Sequence, residues 1–114
     1  MTIEELQKKI VKFRDDRNWK QFHNPKDLAI SLSLESSELL EHFQWKSKEE
    51  IEEHIKINKE KIAEELSDVL YWVLLISYDL NIDFKKALNR KILVNSKKYP
   101  VEKAKGKHTK YTEL

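Results

Sequence analysis

Apolar residues recur at helical spacing through most of this chain. Ile3, Leu6, Ile10 and Phe13, with Val11 beside them, predict a first helix over about 3–17, and Thr2 with Glu5 supplies a capping box to open it. Residues 18–25 (NWKQFHNP) break the period with aromatic side chains, after which Asn24 as N-cap and Pro25 as first helical residue start a second helix. Leu28, Leu32, Leu39 and Phe43 form its stripe, broadened by Ile30, Leu34 and Leu40, and the pattern carries it to about Trp45. On another face Ser31, Glu35, Glu38 and His42 follow one another at helical intervals. Ser47 and Glu50 make a second capping box for a short charged segment to about Ile57, which reads as a solvated connector without chemistry, and Asn58 is a weak break. The third helix then runs to about Leu80. It opens with the acids Glu64, Glu65 and Asp68 and closes with an uninterrupted apolar run over 69–76, which predicts a helix buried nearly all round. Asp83 caps a fourth helix, striped by Phe84, Leu88, Ile92 and, less cleanly, Val94, and stopped by Tyr99 and Pro100.

The elements define an all-α chain, a four-helix bundle over 1–100 followed by an extended basic tail over 101–114. A single Gly and two Pro in 114 residues agree with few, short connections, and this length supports one core. There is no Cys, which removes disulfides and thiolate metal sites from consideration. The longest apolar run falls far short of the roughly 20 residues that span a bilayer. The opening residues, polar and acidic, do not read as a secretory signal, so a soluble cytoplasmic protein is expected. The net charge of +2 hides an asymmetry: residues 1–84 carry −6 and residues 85–114 carry +8. The basic end is either a solvated tail or a surface for a polyanion.

Candidate chemistry centres on the acids. Glu65 and Asp68 stand three apart on one helix, and Glu35 and Glu38 repeat that spacing on an earlier one. Each pair alone is most often the wet side of an amphipathic helix. Two pairs facing each other would form an all-oxygen cage for a hard divalent cation. A di-iron or di-manganese centre requires Glu-x-x-His on two helices, and none of His23, His42, His54 and His108 has a Glu three residues before it. Mg²⁺ fits better, because it takes oxygen ligands and is commonly shared with substrate phosphates. The loop holding Trp19, Phe22 and His23 is either a plug at the end of the bundle or a stacking wall for a planar ligand. Acids for a cation, bases for phosphates and aromatics for a nucleobase together suit a nucleoside triphosphate hydrolase. The alternative is a helical interaction module whose basic end binds nucleic acid without catalysis.

Several blocks resemble the MazG-like all-α nucleoside triphosphate pyrophosphohydrolases, and within them the dCTP pyrophosphatase branch. These are Glu35-x-x-Glu38 with Glu65-x-x-Asp68 some thirty residues later, WKQFHNP at 19–25, FQWK at 43–46, EELSDVL at 64–70, Asn95 with KYP at 98–100, and the terminal KYTEL. The resemblance implies cleavage between the α- and β-phosphates of a (d)NTP, dCTP or a modified dCTP first, to the monophosphate and pyrophosphate. It implies Mg²⁺ held by Glu35, Glu38, Glu65 and Asp68. In metal-assisted hydrolysis a carboxylate not fully used as a ligand takes the proton from water, with Glu38 the first candidate and Glu64 the second. Trp19, His23 and Trp45 match positions that shape the nucleotide pocket, Asn95 and Tyr99 match substrate contacts, and Lys91 is a candidate phosphate contact. Trp72, with Tyr71 just before it, stands where the branch tends to have Tyr and so bears on base preference. The family also implies a homo-oligomer, commonly a tetramer built from dimers. Independently, the apolar run over 69–76 exceeds what a four-helix monomer of this size easily buries, which places Trp72 and Tyr78 in or near an interface. No membrane and no nucleic acid partner is expected on this reading.

Overall fold

A computed structural model describes residues 1–114, which fold into helices joined by short turns and form two compact units, residues 1–81 and 82–114. In the first unit α1 spans Ile3–Asp16, α2 Pro25–Glu41 and α3 Lys48–Asp79. The second unit holds α4 (Phe84–Lys98) and α5 (Val101–Ala104). A 3₁₀ turn occupies Lys20–Phe22 and another Tyr111–Glu113.

The helix starts are set by side chains that satisfy the first free backbone N–H groups. The Thr2 hydroxyl accepts from the Glu5 N–H at 3.1 Å while the Glu5 carboxylate accepts from the Thr2 N–H at 2.9 Å. Ser47 and Glu50 repeat this box at the start of α3. Asn24 accepts from the Asp27 N–H with Pro25 in the first turn, and Asp83 accepts from the Lys86 N–H.

Four expectations need correction. The segment read as a connector over 47–57 is the first third of α3, which continues through a single non-helical residue, Asn58 (φ −115°, ψ 22°). Its Nδ2 donates to the His54 carbonyl at 3.2 Å, so the helix bends there without stopping. Second, α2 ends at Glu41 rather than Trp45: Phe43 N–H turns back to the Leu40 carbonyl, and Trp45 adopts φ 66°. A bulky residue in the left-handed region cannot continue a right-handed helix and costs roughly 1–2 kcal/mol. Third, the run over 69–76 is not buried all round. Leu74 and Leu75 are inside, whereas Leu66, Leu70, Val73 and Tyr78 are exposed. Fourth, residues 101–114 are not extended: α5 and the second 3₁₀ turn fold that segment, with Tyr111 edge-on to Tyr99 (centroids 5.9 Å apart) and Lys98 Nζ 4.8 Å from the Tyr111 ring.

The core of the first unit is small. Val11 of α1, Leu28 of α2 and Leu75 of α3 meet at its centre, with Ile10, Tyr71, Trp72 and Ile76 packed against them. Beside this cluster Arg14, 1% exposed, reaches from α1 to Asp79 at the end of α3, its Nη1 donating to Oδ2 at 2.7 Å. Gln7 adds a second tie between the same helices by donating to the Leu74 carbonyl at 2.9 Å.

Candidate functional site

The acid spacing read from the sequence brings carboxylates from two helices together. Glu35 and Glu38 lie one turn apart on α2, Glu65 faces them from α3, and one oxygen from each lies within 4.8 Å of the other two. Glu35 Oε2 and Glu65 Oε2 are buried and meet no donor. Buried oxygens without a partner are costly, and crowding of like charge adds to that cost. Burial first, then a carboxyl–carboxyl hydrogen bond with Glu38 and the charges of Glu38, Asp68 and Glu65, pushes the Glu35 carboxyl up to about 7. Glu65 is raised by burial, the Glu38 hydrogen bond and the charges of Glu38 and Asp68, with His42 acting in the opposite direction. Orphaned, all-oxygen, like-charged groups fit a hard divalent cation, which would supply the missing partner to both oxygens at once.

Asp68 contributes charge to this group, yet its carboxylate is exposed and outside the trio. It lies beside a groove of about 310 Å³ lined by Leu6, Ile10, Leu70, Tyr71 and Leu74. Glu64 is exposed and does not line the acid cavity. Three of the four expected ligands therefore converge, with Asp68 one helical turn away.

The raised Glu35 carboxyl gives a pH-dependent expectation for the metal-free protein. A carboxyl whose folded value lies above its ordinary value of 4.5 binds more protons folded than unfolded, so stability falls as pH rises from about 4.5 through about 7. Cation binding requires the ionised form. Calorimetric titration with Mg²⁺ in buffers of differing ionisation heat is expected to record proton release at pH 6 and almost none at pH 8. Equal proton release at both pH values would remove Glu35 from the site.

A cavity of about 380 Å³ beside the acids is lined by Glu38, Glu41, His42, His54 and Glu65. His42 Nδ1 lies 2.9 Å from His54 Nε2, and Asn58 Nδ2 lies 3.2 Å from His54 Nδ1. Sequence reading placed His42 on the acid face without a role and missed His54. The only available signal was the second capping box: a segment so well capped is a helix, and it carries His54 along one side.

The aromatic positions divide. His23 is half-buried and edge-on to Trp72, with ring centroids 5.7 Å apart, and its Nδ1 is buried without a partner. Burial and then the charge of Arg14 lower its pKa, opposed by Asp79. Trp72 belongs to the edge of the core and also packs edge-on to Tyr71. Trp19 packs edge-on against Phe13 at 5.7 Å, and both rings stay partly open to solvent. Trp45 is 92% exposed and is not among the residues lining the acid cavity. In the second unit Lys91 and Asn95 are exposed along α4, and Tyr99 forms its C-cap.

An all-helical chain with paired acids on two consecutive helices defines a recognisable class. A model of the MazG-like family matches residues 30–114, and this chain belongs to that family. Among curated relatives, dCTP pyrophosphatase 1 of Rattus norvegicus is 37% identical over 115 residues, covering 99% of this chain and 68% of that protein. The protein of the same name from Homo sapiens is 36% identical over the same shares. A crystal structure of a pyrophosphatase from Archaeoglobus fulgidus superposes with a TM-score of 0.82 at 41% identity, covering 86% of this chain and 92% of that one.

Proposed function

We infer that this protein is a nucleoside triphosphate pyrophosphohydrolase that uses Mg²⁺ at Glu35, Glu38 and Glu65, with Asp68 at hand, and acts first on dCTP or a modified dCTP. Family membership and the names of the relatives support the reaction class. The convergence of three carboxylates with two orphaned buried oxygens is the observation that carries the metal reading.

When bound, Mg²⁺ supplies neutralisation of phosphate charge and a lowered pKa for a water molecule. The chain's own residues do the rest. Glu35 and Glu65, half-buried and crowded, present the anionic oxygens that hold the cation in place. Glu38 lies close to both and is exposed, so it is the carboxylate best able to take a proton from water and return it to solvent. Trp72 and His23, in edge contact, offer an aromatic wall beside the core, and Trp72 is our candidate for base preference. Roles for Trp19, Trp45, Lys91, Asn95 and Tyr99 as substrate contacts rest on the resemblance alone.

The test is pyrophosphate release from a panel of (d)NTPs with Mg²⁺ and with EDTA. Release led by dCTP and abolished by EDTA is the expected result. Release led by another nucleotide would overturn the substrate preference, and no release would overturn the reaction.

We also propose a homo-oligomer. The first unit leaves an apolar face of α1 and α3 uncovered. Leu6, Leu66, Leu70 and Val73 are among its exposed apolar side chains. Light scattering is expected to return a mass at least twice 13.7 kDa, and a monomeric mass would overturn the proposal.

A further inference from the structure

The pair of histidines beside the acids carries a hydrogen-bond direction that can be worked out atom by atom. Asn58 Nδ2 lies 3.2 Å from both the carbonyl oxygen and the Nδ1 of His54. An amide nitrogen has two hydrogens to give and no lone pair to accept with, so both contacts are donations. His54 Nδ1 is thereby an acceptor, and the neutral ring carries its proton on Nε2. That Nε2 lies 2.9 Å from His42 Nδ1, so His54 donates and His42 accepts. The proton of His42 then sits on its Nε2. The chain runs one way: Asn58 to His54 to His42.

This direction speaks against a metal ion between the two rings. A ligating imidazole offers a lone pair and donates its other N–H to a partner behind it. His54 has the reverse arrangement, with a proton on the nitrogen facing His42 and a donor behind. What remains free is His42 Nε2–H, on a ring that lines the same cavity as Glu38, Glu41 and Glu65. Glu65 Oε2, buried and without a donor, is left for the cation, so water in this cavity meets the other oxygen of that carboxylate. A cavity of about 380 Å³ has room for bridging water between polar partners.

We propose that His42 is a positioning residue for the carboxylate site: its Nε2–H, aimed by His54 and Asn58, holds the Glu65 carboxylate through water so that its other lone pairs face the cation. The proposal rests on the reading of Glu35, Glu38 and Glu65 as the metal site. It also gives the bend in α3 a purpose, since the non-helical backbone at Asn58 accompanies the donation of its side chain back onto His54.

Two measurements test it. Long-range ¹H–¹⁵N correlation spectra of the metal-free protein at pH 8 are expected to show both His42 and His54 protonated on Nε2, and His54→Phe is expected to leave His42 as a mixture of tautomers. In Mn²⁺ titrations followed by water-proton relaxation, His42→Phe is expected to weaken binding about 10–100-fold. His42→Gln, which keeps a donor, is expected to recover most of that loss, and melting temperatures in EDTA should stay unchanged. Wild-type affinity in His42→Phe, or a His42 proton on Nδ1, overturns the proposal. If His42→Phe does not fold, a His42→Gln affinity no better than that of His54→Phe overturns it instead. Wild-type protein that binds no Mn²⁺ overturns the carboxylate reading itself, and this proposal with it.

Discussion

Glu65→Gln is expected to lower Mg²⁺-dependent pyrophosphate release at least about 100-fold, a loss of the size that follows removal of one group stabilising the transition state. Glu65 is the one member of the carboxylate trio supplied by α3. Glutamine keeps the shape and one oxygen but loses the charge that a hard cation shared with a triphosphate demands. The fold should survive, because the substitution removes one of several crowded like charges rather than a packing group. At pH 8 in EDTA the variant is expected to melt at the same temperature as the wild type or above it, since Glu65 is held above its ordinary pKa by burial and by Glu38. Steady-state release assays with thermal melts in EDTA make the comparison. Activity within about 10-fold of wild type would take Glu65 out of the site.

The largest expected effect on stability lies away from the acids. Arg14→Ala is expected to destabilise the protein by about 3–5 kcal/mol, the usual cost of leaving a buried charge without its partner. Asp79 would be that charge: its side chain is 7% exposed, Arg14 Nη1 lies 2.7 Å from its Oδ2, and Lys20 Nζ reaches the same oxygen at 3.4 Å from a more exposed position. Burial on its own would raise the Asp79 carboxyl, yet the bond and charge of Arg14, helped by Lys20, hold it below the ordinary 3.8. A depressed carboxyl contributes stability that is present above its unfolded value and lost as pH falls through its folded value. The difference between wild type and Arg14→Ala, followed by urea denaturation, should therefore be full at pH 6 and shrink below about pH 4. A difference under about 1 kcal/mol at pH 6 would mean that Lys20 alone suffices for Asp79.

The parts legible in the sequence are those written in local contacts. Both capping boxes, the Asn24–Pro25 start and the Asp83 cap depend on residues three apart in the chain, and so do the acid pairs on α2 and α3. What was not legible depends on where helices turn. His42 and His54 are twelve residues apart and meet only because α2 stops at Glu41, the chain turns through Trp45 at positive φ, and α3 begins at once. Nothing in a helical period announces a Trp in the left-handed region. Asn58 was legible as a weak break, since a weak helix former marks a boundary, and the backbone does leave helical angles there. What the sequence did not show is that the segment before it is helix too. The apolar run at 69–76 reported hydrophobicity correctly and burial incorrectly, because one chain covers only the side bearing Leu74 and Leu75.

Val11, Leu28, Leu74 and Leu75 are the only apolar side chains fully enclosed in the chain, and residues 82–114 contribute none. Opening free energy follows enclosed apolar contact, so backbone motion is graded along the sequence. The C-terminal third of α3, around Leu75, is pinned until the first unit unfolds as a whole. Turns of α4 can fray and re-form on their own, on far shorter timescales, at little cost. The carboxylates proposed for the cation thus sit on helices anchored by that core, while residues 82–114 enclose no apolar side chain of their own. Rigidity is concentrated where the proposed ion would demand fixed geometry.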